Sequence, residues 1–174
     1  MRKIFTLLFL IAVYHFGFSQ VRYSDEQFAV TKHADIQYGS NYDSKNQLTN
    51  LLMDVYEPQG DTAALRPIIF FVHGGSVVGG SRTDQQINKT AEFFTKKGYV
   101  TANIEYRVEQ SVLISPFLNF ADPYSWYRAI ARTTHDLNAA IRYIKKDVAT
   151  NNNLYKVDTN TIFIYGSSAG AISM

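Results

Sequence analysis

The residues with the clearest chemical content lie near the end of the chain. Gly166-Ser167-Ser168-Ala169-Gly170 reads G-x-S-x-G, and only Ser168 has glycine at both −2 and +2. A serine on a sharp strand-to-helix turn holds a strained backbone, and side chains two positions to either side would collide there. Such a turn raises the hydroxyl clear of the sheet, where it can attack a carbonyl carbon. The five-residue pattern is weak alone. It gains weight from residues 161–165 (TIFIY), an apolar run that leads straight into it. A second group is His73-Gly74-Gly75, directly after residues 68–72 (IIFFV). A serine that transfers acyl groups needs backbone N–H donors aimed at the oxygen that becomes negative. The amide of Ala169, next to the serine, is one candidate. The amides of Gly74 and Gly75, which carry no side chain to block a substrate, are the others. Losing one such donor costs roughly 2.7–4 kcal/mol of barrier.

These residues need a scaffold, and the pattern around them supplies one. Residues 68–72 and 161–165 are continuous apolar runs, as expected of strands buried on both faces of a parallel sheet. Between them, Thr83 or Asp84 can cap a helix with Ile87, Ala91 and Phe94 on one face, and Gly98 ends it. Residues 99–106 read as a further strand, and 107–123 as an irregular loop holding Pro116 and Pro123. Trp126, Ile130, Thr133, Leu137, Ile141, Ile144 and Val148 advance by three or four, which predicts a long amphipathic helix. Asn151 to Asn153 mark a loop. From residue 67 the order is strand, helix, strand, helix, strand, which predicts a parallel sheet with crossover helices. Upstream, residues 34–38 and 51–56 read as strands that form an antiparallel pair at a sheet edge, the second ended by Pro58. The α/β class follows. The strand at 161–165 is expected at the centre of the sheet, with its far edge bare.

The start of the chain has its own logic. Arg2 and Lys3 precede an almost wholly apolar stretch from residue 4 to 18, and Gly17 and Ser19 put small residues at −3 and −1 of a cut before Gln20. This reads as a secretory signal peptide at 1–19; the run is shorter than the roughly 20 residues that span a bilayer. The organisation expected is a leader at 1–19, an N-terminal extension at 20–33 and the folded unit at 34–174. Removing Arg2 and Lys3 from 17 basic residues leaves 15, equal to the 15 acidic ones. A balanced chain gives no electrostatic case for nucleic acid or an anionic membrane. With no cysteine, disulfide scaffolds, Cys-ligated metals and thiol catalysis are excluded. Hydrophobic residues at 46% and charged residues at 18% exclude a disordered tail.

The glycine loop at 73–75, Tyr106-Arg107, Asp136 and the 166–170 elbow, in this order and spacing, resemble the α/β-hydrolase fold, in its carboxylesterase/lipase branch with an HGG-type loop. The likeness covers about residues 48–174 and is closest to secreted bacterial carboxylesterase-like proteins. It implies Ser168 as nucleophile and Gly74, Gly75 and Ala169 as the oxyanion hole. It implies a small-molecule or polysaccharide-linked ester as substrate, and no metal or organic cofactor. It also implies a catalytic acid and a histidine after the nucleophile, whereas this sequence has six residues beyond Ser168. Residues 20–174 alone are therefore expected to be inactive or nearly so. Where several family members have a third glycine, this chain has Ser76. His73 is expected to brace the glycine loop by a hydrogen bond rather than act as a base. His135 and Asp136 lie on a crossover helix, away from the strand ends, and read as a surface histidine and a structural partner. Arg107 reads as a buried arginine that holds the loop after its strand, and Trp126 as core. Two other readings stay open: a serine peptidase of the same fold, against which the HGG loop argues, and a non-catalytic protein that keeps the fold.

Overall fold

The computed structural model describes residues 22–109 and 123–174; the leader at 1–19 and most of the 107–123 loop lie outside the described residues. The elements are β1 (Ala29–Tyr42), β2 (Leu48–Gln59), β3 (Arg66–Val72), α1 (Gln85–Lys96), β4 (Val100–Ile104), α2 (Pro123–Thr150), β5 (Val157–Gly166) and α3 (Ala169–Ile172). The strands form one sheet in the order β1-β2-β4-β3-β5. β3 is parallel to both β4 and β5, while β2 is antiparallel to β1 and β4. The parallel part is what the alternation predicts, the antiparallel pair lies at one side with β1 at the edge, and the mixed sheet is of the α/β-hydrolase type that the resemblance implies.

The apolar run in β3 is buried because both of its faces are covered. Ile68, Phe70 and Val72 pack with Leu137, Ala140 and Ile144 of α2 on one side. Ile69 and Phe71 pack with Ile87 and Ala91 of α1 on the other. At about 25 cal/mol per Å² of apolar surface, covering both faces makes the burial of β3 a large stabilising contribution. The helical stripe of α2 holds, and it also takes in the small residues Ala129 and Ala140 and the polar Asp136, all buried.

Three elements differ from the sequence reading. β1 begins at Ala29 rather than at residue 34, inside the stretch read as an extension. Most of its residues are partly or fully exposed, so cross-strand pairing with β2 defines it more than an apolar pattern does. The segment ahead of it is tied down as well: the amides of Tyr23, Gln27 and Phe28 donate to carbonyls of Lys97 and Lys96, and Arg22 forms an ion pair with Asp61. β4 ends at Ile104, which leaves Glu105 and Tyr106 beyond the ladder. Finally, β5 is not buried on both faces. Phe163, Ile164 and Tyr165 are 50%, 40% and 42% exposed, because among the described residues β5 pairs only with β3.

Candidate active site

The sheet order brings the two chemical motifs together. From β3 the chain steps to β4 on one side, and later returns to β5 on the other. Such a reversal opens a crevice at the carboxyl ends of the strands. Val72 and Gly166 are partners across the parallel pair, and the amide of Ser167 extends the ladder to the Val72 carbonyl (3.1 Å). The loop after β3 and the turn after β5 therefore leave the sheet side by side.

The elbow has the geometry its glycines require. A Cβ at Gly166 would meet the Ala171 amide nitrogen at 2.5 Å, and one at Gly170 would meet the Val72 carbonyl oxygen at 2.3 Å. Ser168 holds φ 50° and ψ −117°, a conformation that costs of order 1–3 kcal/mol in a non-glycine residue. The turn is held by the amides of Gly170, donating to Ser167, and of Ala171 and Ile172, both donating to Ser168. Ser173 Oγ donates to the Ala169 carbonyl, and Thr134 Oγ1 of α2 donates to the Ser173 carbonyl. Ser168 itself is exposed, and its hydroxyl has no hydrogen bond to any described residue.

The glycine loop lies against this turn. A Cβ at Gly74 would sit 3.3 Å from Ser168 Cβ and 3.1 Å from the Ser167 carbonyl oxygen. The amides of Val78 and Gly79 both return to the Gly75 carbonyl (3.0 Å each) and close a tight turn. The chain reaches that turn through Ser76 and Val77, both left-handed at φ 55° and 58°. Ser76 thus stands where glycine would be unstrained, which accounts for the third glycine the resemblance leads one to expect. Among the described residues, the amides of Gly74, Gly75 and Ala169 make no hydrogen bond. Gly74, Gly75 and Ser168 border an open cleft of about 400 Å³, whose other walls include Asp84, Gln86 and Thr90 of the α1 region and Tyr165.

Behind the loop lies a polar network. His73 is 1% exposed. Its Nδ1 donates to the Gly74 carbonyl (2.7 Å), and its Nε2 faces Glu105 Oε1 at 3.1 Å. The second oxygen of Glu105 accepts from Ser81 Oγ and from the Arg82 amide, each at 3.2 Å. Burial opposes ionisation of Glu105, but the hydrogen bond and charge of His73, with these donors, hold its carboxyl below the usual glutamate range. Tyr106 stacks on the His73 ring, centroids 4.1 Å apart, and its hydroxyl donates to the His73 carbonyl (2.9 Å). Burial, then the charges of Glu105 and Asp84, push that hydroxyl above the ordinary phenol range, so it remains a donor. His73 therefore braces the glycine loop, as its position suggests.

The other singled-out residues lie elsewhere. Arg107 and Asp136 form a buried pair: Nη2 to Oδ1 at 2.7 Å, Nε to Oδ2 at 3.0 Å, and the Arg107 amide to Oδ2 at 2.9 Å. Arg107 Nη1 also reaches the Tyr42 carbonyl, so the pair joins the segment after β4 to α2 and to the end of β1. His135 is exposed on α2, and Trp126 packs near Val77, Ala129 and Ala169. Sequence reasoning missed Glu105 and the cleft-facing Asp84. Glu105 looked like part of a strand, and Asp84 like a helix cap. Asp84 does occupy the N-cap position, but its carboxylate makes no cap bond and accepts from the Ser81 amide instead.

Comparisons with known proteins agree with this geometry. The family model described as BD-FAE matches residues 53–120. Carboxylesterase 3B of Mus musculus is 29% identical over 123 residues, which cover 70% of this chain and 19% of that protein. Gut esterase 1 of Caenorhabditis briggsae is 27% identical over 135 residues, 78% of this chain and 21% of that protein. The chain thus spans about a fifth of the length of these curated relatives. Among solved structures, esterase 2 of Thermogutta terrifontis phosphorylated by paraoxon superposes with TM-score 0.58 at 23% identity, over 82% of this chain and 45% of that one. Esterase B of Lactobacillus rhamnosis superposes with TM-score 0.56 at 19% identity, over 99% and 46%. Sheet order, elbow and glycine loop, with these structural likenesses, give the chain an α/β-hydrolase type of fold, and its sequence is similar to those of a carboxylesterase and a gut esterase.

Proposed function

We propose that this chain forms the nucleophile half of a serine hydrolase acting on carboxylic esters. The observation that carries the reading is the juxtaposition of Ser168 with Gly74: an exposed, strained, unbonded serine beside three amides that have no partner among the described residues. In this reading Ser168 Oγ attacks the ester carbonyl carbon while a histidine takes its proton. The carbonyl oxygen, now negative, is received by the amides of Gly74, Gly75 and Ala169. As the carbon–oxygen ester bond breaks, the histidine returns the proton to the departing alcohol and an acyl-serine remains. Water then adds by the same route and releases the acid. No step calls for a metal or organic cofactor.

The base is not His73, whose two nitrogens are taken up by Gly74 and Glu105. Nor is it His135, which lies exposed on α2. We place the histidine and its acid outside the described residues, after the nucleophile in chain order. The leader composition supports export of the protein, with a mature start at Gln20; N-terminal sequencing of the secreted form tests this.

The test of the main reading is hydrolysis of p-nitrophenyl acetate by the full-length protein against its Ser168→Ala variant. Removal of the nucleophile is expected to lower kcat by at least about 10³-fold, to the background left by binding and the oxyanion hole. Equal rates in the two proteins would overturn the reading. Residues 20–174 alone are expected to match their own Ser168→Ala control. Comparison of an ester with the matching amide separates an esterase from a peptidase.

A further inference from the structure

The two glycine amides beside Ser168 belong to peptide units whose carbonyls are both already loaded. The Gly74 N–H shares its peptide with the His73 carbonyl, which accepts from Tyr106 Oη at 2.9 Å. The Gly75 N–H shares its peptide with the Gly74 carbonyl, which accepts from His73 Nδ1 at 2.7 Å. A donor on a carbonyl polarises the whole amide and makes its N–H a better donor, by of order 10–30% per bond along a chain. The strength of these two amides is therefore set from behind, by a histidine and a tyrosine that touch no substrate.

The histidine's contribution depends on where its protons are. A carbonyl oxygen can only accept, so Nδ1 carries a hydrogen. Nε2 faces Glu105 Oε1 at 3.1 Å, and one proton lies between them. Two features favour the nitrogen. The carboxylate already accepts from Ser81 Oγ and the Arg82 amide, bonds that suit its ionised form. Its side chain also keeps 31% of its surface exposed, which favours the carboxylate; the burial of His73 works the other way, and hydrogen bonds at both ring nitrogens oppose it. The other charged and titratable groups near the ring leave this arrangement intact. Tyr106 stacks on it as a neutral phenol. Asp84 is held by the Ser81 amide. The Arg82 guanidinium turns away to Asp35 and Asp54.

We propose that Glu105 holds His73 doubly protonated, and that His73 and Tyr106 together strengthen the Gly74 and Gly75 amides as donors to the oxyanion. Glu105, His73 and Tyr106 are thus positioning residues of the hydrolytic site. The part concerning rate rests on the ester-hydrolase reading; the part concerning protons does not. The geometry also explains Gly80: a Cβ there would lie 2.1 Å from the Gly74 carbonyl oxygen and 2.5 Å from His73 Nδ1, so only glycine leaves room for the bond between them.

Two measurements on the full-length protein test this. In ¹⁵N-histidine NMR at neutral pH, His73 should show hydrogens on both ring nitrogens, and Glu105→Gln should reduce it to the form protonated at Nδ1 alone. A neutral His73 in the unmodified protein overturns the proposal. In steady-state ester hydrolysis, Glu105→Gln and Tyr106→Phe should each lower kcat about tenfold with KM little changed, a smaller loss than deletion of a donor. Glu105→Asp, which restores a carboxylate, should recover part of it. A raised KM at constant kcat, or no change, overturns the polarising role. A protein inert towards esters overturns the hydrolase reading, and the NMR result then decides the histidine's state by itself.

Discussion

Gly74 and Ser168 are 94 positions apart in sequence, yet a Cβ on the first would touch Cβ of the second at 3.3 Å. The contact arises because Val72 and Gly166 are ladder partners at the carboxyl ends of adjacent parallel strands. Each motif turns away from the sheet one or two residues later, so both turn into the same crevice.

The elbow should tolerate no added carbon at its +2 position. Gly170→Ala places a methyl 2.3 Å from the Val72 carbonyl oxygen and 2.7 Å from that of His73, both backbone atoms of the strand and loop that define the site. The expected result is a loss of about 1–3 kcal/mol of stability together with a large fall in labelling of Ser168 by a fluorophosphonate. Denaturant melts and intact-mass spectrometry measure the two effects. Wild-type labelling of the variant would contradict the packing described for this turn.

Ser76 should respond in the opposite direction. Its φ of 55° is costly for serine and free for glycine, while glycine adds unfolded-state entropy. Ser76→Gly is expected to raise stability by about 0.5–1 kcal/mol, the strain relieved exceeding the entropy added. A lowered urea midpoint would show that the side chain contributes more than its backbone conformation costs.

The buried Arg107–Asp136 pair should be costly to break and cheaper to replace. Asp136→Ala leaves a guanidinium and the Arg107 amide without their shared acceptor; the expected loss is about 3–5 kcal/mol. The double variant Arg107→Met, Asp136→Leu is expected to lose clearly less than the sum of the single changes. A double-mutant cycle from urea denaturation gives the coupling, and additive losses would show that the pair does not act as a unit.

Acid should destabilise the fold through Asp61 and Glu105. Burial opposes ionisation of Asp61, but hydrogen bonds from Arg22 and Arg66 outweigh it and hold the carboxyl far below its usual 3.8. Glu105 lies below its usual 4.5 for the reasons given above. A carboxylate lowered on folding contributes its stability in full above the unfolded value and loses it as pH falls through the folded one. Stability should therefore be flat with respect to these groups from neutral pH down to about 5, and should decline below that. Asp61→Asn should lower stability at neutral pH and flatten the acid limb. Thermal melts across this range check both, and an unchanged acid limb in the variant would assign the decline to other groups.

Much of this was legible in the chain because it is local. The pinched turn around Ser168 follows from backbone sterics, and Gly166 and Gly170 mark it in any context that lets the strand form. The two-sided burial of β3 and the stripe of α2 follow from apolar spacing. The extent of β1 was not legible, since its residues are largely solvent-facing and pairing with β2 fixes its length. Nor was the exposure of β5, since an apolar run does not say how many neighbours will cover it. Glu105 was hidden for a related reason. Its importance comes from facing His73 across the β3–β4 pair, a relation that no spacing within either segment encodes. The sequence by itself determined which short segments can turn, cap or bury, because those depend on neighbours a few bonds away. Only the tertiary structure decided which turn faces which loop, because strand order is set by burial and pairing summed over the whole sheet.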